Sequence, residues 1–264
     1  MTILDTIVEK KKEEVAVAKR STPILSLEES EHFQRKCYSL RQFILDPDKT
    51  GIIAEFKRKS PSKGMINNLA SVSEVTSGYA EAGASALSVL TDTSFFDGFN
   101  RDLEEARKVN RLPILRKDFT LDEFQVLEAK SLGADVILLI AAILTPEKIK
   151  QLARTARAVG LNVLLEVHSK EELDRSLCDE LDAVGVNNRN LADFSVSLDH
   201  SYDLVNLIPD QFLKISESGI SDPKIINLLK QAGFNGFLIG ENFMKEQHPG
   251  KAMKDFVNEL TAGR

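Results

Sequence analysis

Hydrophobic positions are spaced differently before and after residue 51 of the chain. In the first fifty residues, single apolar side chains stand among many lysines and glutamates, a pattern typical of an amphipathic helix. The pattern predicts a helix over 4–19, a break at Pro23 and a second short helix over 40–45. We therefore expect residues 1–50 to form a helical extension that packs on the rest of the chain.

From residue 51 onward, short apolar runs alternate with amphipathic segments of helical length. Most runs have four to six residues, too few for a helix, and they are rich in Ile, Val and Leu, as buried strands are. The runs that we predict to be strands are 51–56, 86–90, 113–116, 136–140, 163–167, 183–186, 212–215 and 236–239. The segments that we predict to be helices include 73–82, 121–132, 146–159, 170–177, 223–231 and 253–260. Strands alternating with helices indicate an α/β protein.

Glycine and proline residues mark the ends of the predicted helices. A glycine follows four of the segments, at positions 83, 133, 160 and 233, where a helix commonly ends. Thr145-Pro146 and Asp222-Pro223 each place an N-cap residue before a proline at the first helical position. Eight strand–helix units in about 210 residues favour a closed (β/α)8 TIM barrel over an open doubly wound sheet, and no GxGxxG motif follows the first strand. We expect residues 1–264 to form a single domain, with the barrel at 51–264.

The composition and net charge of the chain indicate which classes of binding partner to expect. The chain has 264 residues, 42% of them hydrophobic, and a net charge of −6. A nucleic acid or an anionic membrane needs a basic face, so we expect neither as a partner. Glutamates flank the basic run at 10–12, which predicts a solvated helix face. Cys37 and Cys178 lack metal-site spacing, and we expect neither a metal nor an organic cofactor. The first residues lack a secretory signal and no apolar run could span a bilayer, which predicts a cytoplasmic protein.

Polar residues follow the end of six of the eight predicted strands. In TIM barrels, catalytic residues lie at the C-terminal ends of the strands and in the loops after them. Alternation along a strand places Glu55 and Lys57 on one face, and it points Glu166 into the barrel if Leu164 points there. Six polar endings at one end of a repeating unit favour a catalytic mouth over a solvated rim. The candidate residues at these ends are Glu55, Lys57, Arg116 or Lys117, Glu166, Asn187, Arg189, Glu217 and Glu241.

The loops after strands seven and eight carry glycines that suit a phosphate site. Barrels often bind a substrate phosphate there through backbone N–H groups. Ser218, Gly219 and Gly240 occupy these loops, and glycine lets the backbone approach an anion closely. His168 continues the alternation from Glu166, and for this histidine we favour a loop or capping role over contact with a substrate.

Six segments resemble, in the same order, the strand ends of the indole-3-glycerol-phosphate synthase family. They are AEFKRKSPSKG at 54–64, LRKDF at 115–119, LLEVH at 164–168, GVNNRNL at 185–191, SESGI at 216–220 and IGENFM at 239–244. The first and fourth are quite specific, whereas the last two recur in other phosphate-binding barrels. The resemblance covers the whole chain, including the N-terminal helices, which this family places over the barrel mouth. It departs at Glu241, where relatives often carry a small residue such as serine.

The resemblance implies a decarboxylating and dehydrating ring closure in tryptophan biosynthesis. The substrate would be 1-(2-carboxyphenylamino)-1-deoxyribulose 5-phosphate and the product indole-3-glycerol phosphate. The ring carbon that bears the carboxylate attacks the sugar carbonyl, after which carbon dioxide and water leave. This chemistry needs an acid for the carbonyl oxygen, a base, and cations for the carboxylate and phosphate of the substrate.

The resemblance also implies a role for each residue at the mouth. Lys117 matches the general acid, and we expect neighbouring cations to lower its pKa. Glu166 matches the acid–base carboxylate, and Lys57 would hold substrate anions and share the acid work. Glu55 would orient Lys57 or Lys117, and Asn187 would help to position the substrate. The residues expected to bind the substrate are Ser60, Arg189, Glu217, Ser218, Gly219, Gly240 and Glu241.

Two other functions stay open for such a barrel. A phosphoribosylanthranilate isomerase should offer a cysteine or an aspartate as its acid–base pair at the strand ends, whereas these ends offer Lys and Glu. A non-catalytic sensor of a phosphorylated metabolite would tolerate loss of Glu166 or Lys117 more readily than loss of the phosphate loop. The sequence does not determine the oligomeric state, and we favour a monomer that binds a small phosphorylated substrate.

Overall fold

Eight parallel strands form a closed barrel in the computed structural model of the protein, which describes residues 2–190 and 194–262. Each strand pairs with the next one along the chain, and the last pairs with the first, where Phe237 lies opposite Ile52. The structure therefore confirms the predicted (β/α)8 TIM barrel. The strands, β1 to β8, are Ile52–Phe56, Ala86–Leu90, Ile114–Lys117, Val136–Ile140, Asn162–Val167, Ala183–Asn187, Leu213–Glu217 and Gly236–Ile239.

The observed strands agree with the prediction to within two residues at each end, and the largest difference is at a polar end. β2, β4 and β8 begin and end where predicted, whereas β3, β6 and β7 continue one or two residues further. The added residues include Lys117, Asn187 and Glu217, which pair with neighbouring strands: Lys117 lies opposite Leu90, and Asn187 lies opposite Glu217. The polar residues at the mouth are therefore held by the barrel ladder itself and not only by loops.

Helices surround the barrel on the outside and cover its ends. The helices, α1 to α13, are Ile3–Ser21, Ile24–Glu28, Leu40–Ile44, Val72–Glu81, Thr93–Phe96, Asn100–Val109, Glu123–Ser131, Pro146–Ala158, Lys170–Ser176, Asp199–Leu204, Pro223–Ala232, Glu241–Met244 and Pro249–Ala262. Two 3-10 turns, Ala141–Ile143 and Val205–Leu207, follow β4 and α10. The prediction did not include α2, α5, α6, α10 and α12. Within the described ranges, no helix is long and apolar enough to cross a membrane.

The predicted helix ends are confirmed by their hydrogen bonds and backbone angles. The side chains of Thr145 and Asp222 accept hydrogen bonds from the N–H groups of Lys148 and Lys224, which caps α8 and α11. The glycines at positions 83, 133, 160 and 233 have φ angles of 90°, 93°, 79° and 114°, in the left-handed region that favours glycine. These local signals explain why the order of the elements could be predicted from the chain.

Side chains that alternate along the strands form two hydrophobic cores. Inward positions such as Ile53, Leu138 and Ile215 fill the barrel interior, and outward positions such as Val89 and Val163 pack against the helices. Both faces of each strand are therefore apolar over most of its length, as expected for a parallel sheet that helices cover. Only at the C-terminal ends do the inward positions become charged.

The N-terminal extension contacts both ends of the barrel. Ile7 of α1 lies at the C-terminal mouth, where it joins the apolar interior. In contrast, Leu40 of α3 donates its backbone N–H to Asn162 at the start of β5, and Ile44 packs beside Gly236 at the start of β8. The expectation that the extra helices lie over the mouth is therefore wrong for α3, because its apolar residues close the opposite end.

A buried lysine fixes α1 to the mouth. Lys11 Nζ lies 2.9 Å from a carboxylate oxygen of Asp92, which follows β2, and 2.9 Å from one of Asp118, which follows β3. Burial opposes the charge of Lys11, but these carboxylates outweigh burial and raise the pKa of the ammonium. The predicted solvated face at 10–12 is therefore wrong at its middle residue, which has only 6% of its side chain exposed.

We predict that Lys11→Met loosens α1 from the barrel. The change leaves Asp92 and Asp118 buried without their shared cation, and breaking a buried ion pair from one side costs about 3–5 kcal/mol. We expect a lower urea midpoint and faster hydrogen exchange of the α1 amides. The matched control is Lys12→Met, because Lys12 is exposed and pairs with Glu9. It should change the free energy of unfolding by less than about 0.5 kcal/mol. Equal effects of the two substitutions would contradict the assignment.

Candidate active site

The floor of the mouth holds two lysines and three glutamates that the sequence places at four different strand ends. Lys117 Nζ donates to Glu166 at 2.7 Å and to Glu217 at 3.0 Å. Lys57 Nζ donates to Glu55 at 2.8 Å. When all five groups are ionised, the cluster carries one more negative charge than positive charge. The structure thus brings together five of the residues predicted for the site.

Arg116 and Lys117, the two candidates at the end of β3, point to opposite sides of the barrel wall. Arg116 points outward, where its guanidinium donates to Glu128 of α7 at 2.6 Å and to Asn100 of α6 at 3.0 Å. Lys117 is therefore the member of the pair that faces the mouth.

Lys117 is surrounded by carboxylates and not by cations. Burial opposes its charge, but Glu166, Glu217 and Glu55 outweigh burial and raise the pKa of the ammonium. The expected lowering of this pKa is therefore wrong. Lys57, the other lysine of the floor, is itself paired with Glu55.

Glu217 is the carboxylate whose ionisation is shifted towards neutral pH. Burial and the neighbouring carboxylates of Glu166 and Glu55 outweigh the attraction of Lys117 and raise its pKa to about 7. Its Oε1 atom is buried and has no hydrogen-bond partner among the described residues. A side chain at Gly185 would place its Cβ 2.1 Å from this oxygen and would displace the Glu217 carboxylate. The sequence pattern does not predict this role of Gly185, which stands in the fourth motif.

Gly240 makes similar room for Glu55. A Cβ at Gly240 would lie 2.6 Å from Glu55 Oε1, the oxygen that binds Lys57. The other carboxylate oxygen accepts a hydrogen bond from Ser88 at 3.2 Å. Of the two lysines that Glu55 is expected to orient, it hydrogen-bonds Lys57. Gly240 thus has a packing reason to be glycine in addition to the predicted contact with phosphate.

Glu166 is approached by three nitrogen atoms, from β3, from β6 and from the loop after its own strand β5. Besides Lys117, Asn187 donates to its Oε1 at 3.2 Å, and His168 Nε2 lies 3.6 Å from the same oxygen. Burial would raise the pKa of Glu166, but Lys117 and His168 outweigh burial and lower it.

His168 lies in the loop before α9, and its backbone N–H donates to Glu172 of this helix at 2.8 Å. Of the predicted loop or capping role, the loop is confirmed, whereas Ser169 is the residue that caps α9. The position of the His168 imidazole beside Glu166 was not predicted.

A cavity of about 470 Å³ adjoins the charged floor beside β7 and β8. Ser218 and Gly219, which line it, have φ angles of 69° and 78°, in the left-handed region. Such a conformation is uncommon for serine and turns the backbone sharply after β7. Gly240, Lys63 and Lys245 also line this cavity, so backbone turns and ammonium groups surround the space where a phosphate is predicted.

The side chain of Glu241 faces this cavity. One of its oxygens lies 3.5 Å from the guanidinium of Arg189, and the other lies 3.8 Å from Lys63 Nζ. Where relatives of the resembled family often carry serine, this chain therefore has a carboxylate that partly neutralises two cations of the predicted phosphate site.

A smaller cavity of about 160 Å³ lies directly above the charged floor and has an apolar side. Ser60 and Asn187 line its polar part, as predicted for contact with a substrate. The apolar part was missed, because apolar residues in α1 predict packing and not a site wall. Its residues include Ile3, Leu4, Ile7, Phe96, Phe119, Leu138 and Ile140.

Arg189 connects the two cavities, since it lines both. Its backbone N–H donates to the side chain of Asn187 at 3.0 Å. Leu191, the last residue of the fourth motif, lies outside the described residues. In the part of the chain that the structure describes, no three His, Cys, Asp or Glu side chains are arranged to hold a metal ion.

The fold and the buried acidic and basic groups at its mouth define an enzyme of the (β/α)8-barrel class. The family model for indole-3-glycerol phosphate synthase matches residues 4–256. The chain belongs to the indole-3-glycerol phosphate synthase family.

Two relatives illustrate how far the similarity extends. The indole-3-glycerol phosphate synthase of Bacteroides thetaiotaomicron is 45% identical over 258 residues, covering 98% of each chain. That of Burkholderia vietnamiensis is 41% identical over 253 residues, covering 95% of this chain and 97% of the relative. The similarity therefore includes the N-terminal extension as well as the barrel.

Solved structures share the barrel at much lower identity. A chain of the tryptophan synthase complex from Pyrococcus furiosus has a TM-score of 0.60 and 18% identity, covering 81% of this chain and 99% of that one. The 3-hexulose-6-phosphate synthase from Salmonella typhimurium has a TM-score of 0.63 and 11% identity, with the same coverage. Identities this low support the fold alone.

We predict that Glu217→Gln stabilises the protein at pH 8 but not at pH 4.5. A pKa near 7 in the folded state, against 4.5 for an ordinary glutamate, means that folding favours the protonated carboxyl. Its stabilising contribution is complete below pH 4.5 and is lost as the pH rises to about 7, because the unfolded chain then binds fewer protons. Glutamine cannot ionise and keeps the neutral form at every pH.

The expected rise in Tm at pH 8 is roughly 3 °C, equivalent to about 1 kcal/mol. Scanning calorimetry at both pH values measures it. Glu128→Gln is a suitable control, because Glu128 is an ion-pair partner of Arg116 outside the mouth and its loss should lower Tm. If Glu217→Gln had a lower Tm than the wild type at pH 8, the attraction between Lys117 and the Glu217 carboxylate would outweigh burial, and the prediction would be wrong.

Proposed function

We propose that the protein is a carboxy-lyase that converts 1-(2-carboxyphenylamino)-1-deoxyribulose 5-phosphate to indole-3-glycerol phosphate. The observation that carries the proposal is Lys117 Nζ, held by Glu166 and Glu217 at 2.7 and 3.0 Å on the floor of the barrel mouth. The name shared by the family and the relatives supports the same reaction. Such a reaction is a step of tryptophan biosynthesis.

The reaction requires an acid and a base that act on different parts of one substrate. The ring carbon that bears the carboxylate forms a bond to the ketone carbon of the sugar, and the ketone oxygen takes up a proton. The carboxylate leaves as carbon dioxide, and the new hydroxyl takes up a second proton and leaves as water. The CH2 carbon between the nitrogen and the former ketone carbon loses a proton, so the indole keeps its N–H. Each turnover therefore consumes one proton from solvent.

The buried charges suit these proton transfers. Because the pKa of Lys117 is raised, the ammonium is charged at neutral pH and carries a proton for the ketone oxygen. Because the pKa of Glu166 is lowered, its carboxylate is free of a proton and can serve as the base. Glu217 holds Lys117 from the other side, and Glu55 holds Lys57, which we assign to the substrate carboxylate and to a share of the acid work.

The two cavities fit the two ends of such a substrate. The apolar side of the smaller one suits the aromatic ring, and burying an aromatic ring is favourable. The larger one suits the sugar phosphate, because cations and N–H groups stabilise an anion. The residues that we propose to contact the substrate are Ser60, Asn187, Arg189, Ser218, Gly219, Gly240 and Glu241.

The isomerase alternative finds little support at the mouth. Neither Cys37 nor Cys178 lines the two cavities, and the one aspartate among their lining residues, Asp118, is bound by Lys11. The sensor alternative differs from our proposal in its response to substitution of Lys117 and Glu166. The single-domain organisation, the monomeric state and the cytoplasmic location stay predictions.

We predict that indole fluorescence appears when the carboxyphenylamino substrate is added to the protein without added metal. The chain contains no tryptophan, so an indole product is seen against a low background. Lys117→Ala and Glu166→Gln should each lower kcat by about 10²- to 10⁴-fold, because each removes an acid–base group. Lys148→Ala, on the surface of α8, should leave kcat unchanged.

The outcomes of this assay test the reaction and the acid–base roles separately. Turnover by the wild type that both variants largely lose supports the reaction and the acid–base roles together. Turnover that survives in both variants would support the proposed reaction but contradict the acid–base roles of Lys117 and Glu166. A folded wild type without turnover would contradict the proposal. Binding of the substrate without turnover would then favour a non-catalytic sensor.

A further inference from the structure

A partly buried histidine, His168, lies between Glu166 and a second carboxylate on the helix that follows the same strand. His168 Nδ1 lies 3.3 Å from Glu172 Oε2, and the backbone N–H of His168 donates to the same oxygen at 2.8 Å. On the other side of the ring, Nε2 lies 3.6 Å from Glu166 Oε1. This distance is too long for a hydrogen bond, and Nε2 is buried without another partner among the described residues.

The surroundings of the imidazole favour its charged form. Burial opposes the charge, but the hydrogen bond with Glu172 and the carboxylates of Glu166 and Glu217 outweigh burial and raise the pKa of His168. Glu172 on α9 is in turn close to Arg175 of the same helix. A charged His168 carries an N–H on Nε2 that is aimed at Glu166 and forms no hydrogen bond.

The carboxylate of Glu166 needs a second cation if Lys117 acts on a substrate, a step that rests on the proposed function. Lys117 is the strongest donor to Glu166, at 2.7 Å, and it must turn at least partly towards the ketone oxygen to give up a proton. A buried carboxylate that loses its cation is costly. Asn187, the other donor, is neutral and forms a longer hydrogen bond of 3.2 Å.

We propose that His168, held by Glu172, is a positioning residue that takes over as the cationic partner of Glu166 when Lys117 engages the substrate. A shift of less than 1 Å closes the gap between Nε2 and Oε1 to an ordinary hydrogen-bond length of about 2.8 Å. The exchange keeps Glu166 ionised and in place until it accepts a proton as the base. No covalent step is involved.

A third cavity, of about 290 Å³, is lined by His168, Glu172 and His200. It shares Asn187 and Arg189 with the cavity above the charged floor. The same cavity supplies a matched control, because His200 lines it and is not among the residues that shift the pKa of Glu166.

The first test needs no substrate. Lys117→Ala leaves Glu166 without its ammonium, as the engaged state would, so His168 should bind its proton more tightly. Nitrogen-15 NMR of the four histidines, assigned with His168→Gln, reports this titration. We expect His168 to titrate at least about one pH unit higher in Lys117→Ala than in the wild type, because the unpaired carboxylate attracts it more strongly. His200, which lines the same cavity, is the internal control. An unchanged or lower titration of His168 would overturn the inference, whatever the activity of the enzyme.

The second test uses turnover. His168→Ala should lower kcat about ten- to a hundredfold with little change in KM, as expected for a lost hydrogen bond to a charged group. The acidic limb of the kcat profile should also move to higher pH, because Glu166 loses a nearby positive charge. His168→Gln keeps an N–H donor and should recover part of kcat but not the position of the limb. Glu172→Gln should have a smaller effect in the same direction.

Two results would separate a positioning role from a merely structural one. Loss of kcat in His168→Ala with an unmoved acidic limb would reduce His168 to a packing residue and overturn the proposal. His200→Ala, made in the same cavity, should keep both kcat and the limb. If the wild type itself does not turn over, the proposed function fails, but the NMR test of His168 still decides this inference.

Discussion

The mouth of this barrel depends on keeping more carboxylates than ammonium groups buried in one place. Glu55, Glu166 and Glu217 face Lys57 and Lys117, and a buried charge without a partner costs several kcal/mol. Each lysine is hydrogen-bonded to a glutamate, and Glu217 binds its proton more tightly than an exposed glutamate would. The two lysines therefore hold the site together. Without Lys117 in particular, the carboxylates of Glu166 and Glu217 would repel each other across the barrel.

The barrel makes such a cluster possible because inward side chains from different strands meet at one level. Glycines near the ends of neighbouring strands provide the space for these side chains: Gly185 leaves room for Glu217, and Gly240 leaves room for Glu55. Helix α1 of the N-terminal extension then covers the mouth, where Lys11 joins it to the residues that follow β2 and β3. The covering helix adds apolar side chains above the charges, which limits the access of water and strengthens every ion pair beneath it.

The chain predicts the order of its elements and the location of the site because both follow from local patterns. Alternation, helix-ending glycines and proline caps act within a few residues, and barrel topology places every strand end at the mouth. The contacts across the barrel are different. The charge state of Lys117 depends on distances to Glu55, Glu166 and Glu217, and no spacing along the chain gives these distances. Lys11 was missed for the same reason, since only tertiary packing shows that one lysine of a charged run is buried.

The raised pKa of Lys117 also limits how this lysine can act as an acid. An ammonium held by two carboxylates gives up its proton only to an oxygen that becomes more basic than itself, as the ketone oxygen does when the ring carbon attacks it. Once Lys117 has given up its proton, the two carboxylates face a neutral amine and not a cation. The free-energy cost of keeping them ionised is then higher. Glu217, with a pKa near 7, can relieve this cost by taking a proton, whereas Glu166 must stay ionised to act as base. The two glutamates have different surroundings, because Glu166 lies beside His168 and Glu217 lies against Gly185. This difference allows Lys117 to be hydrogen-bonded to both while only Glu217 takes up a proton.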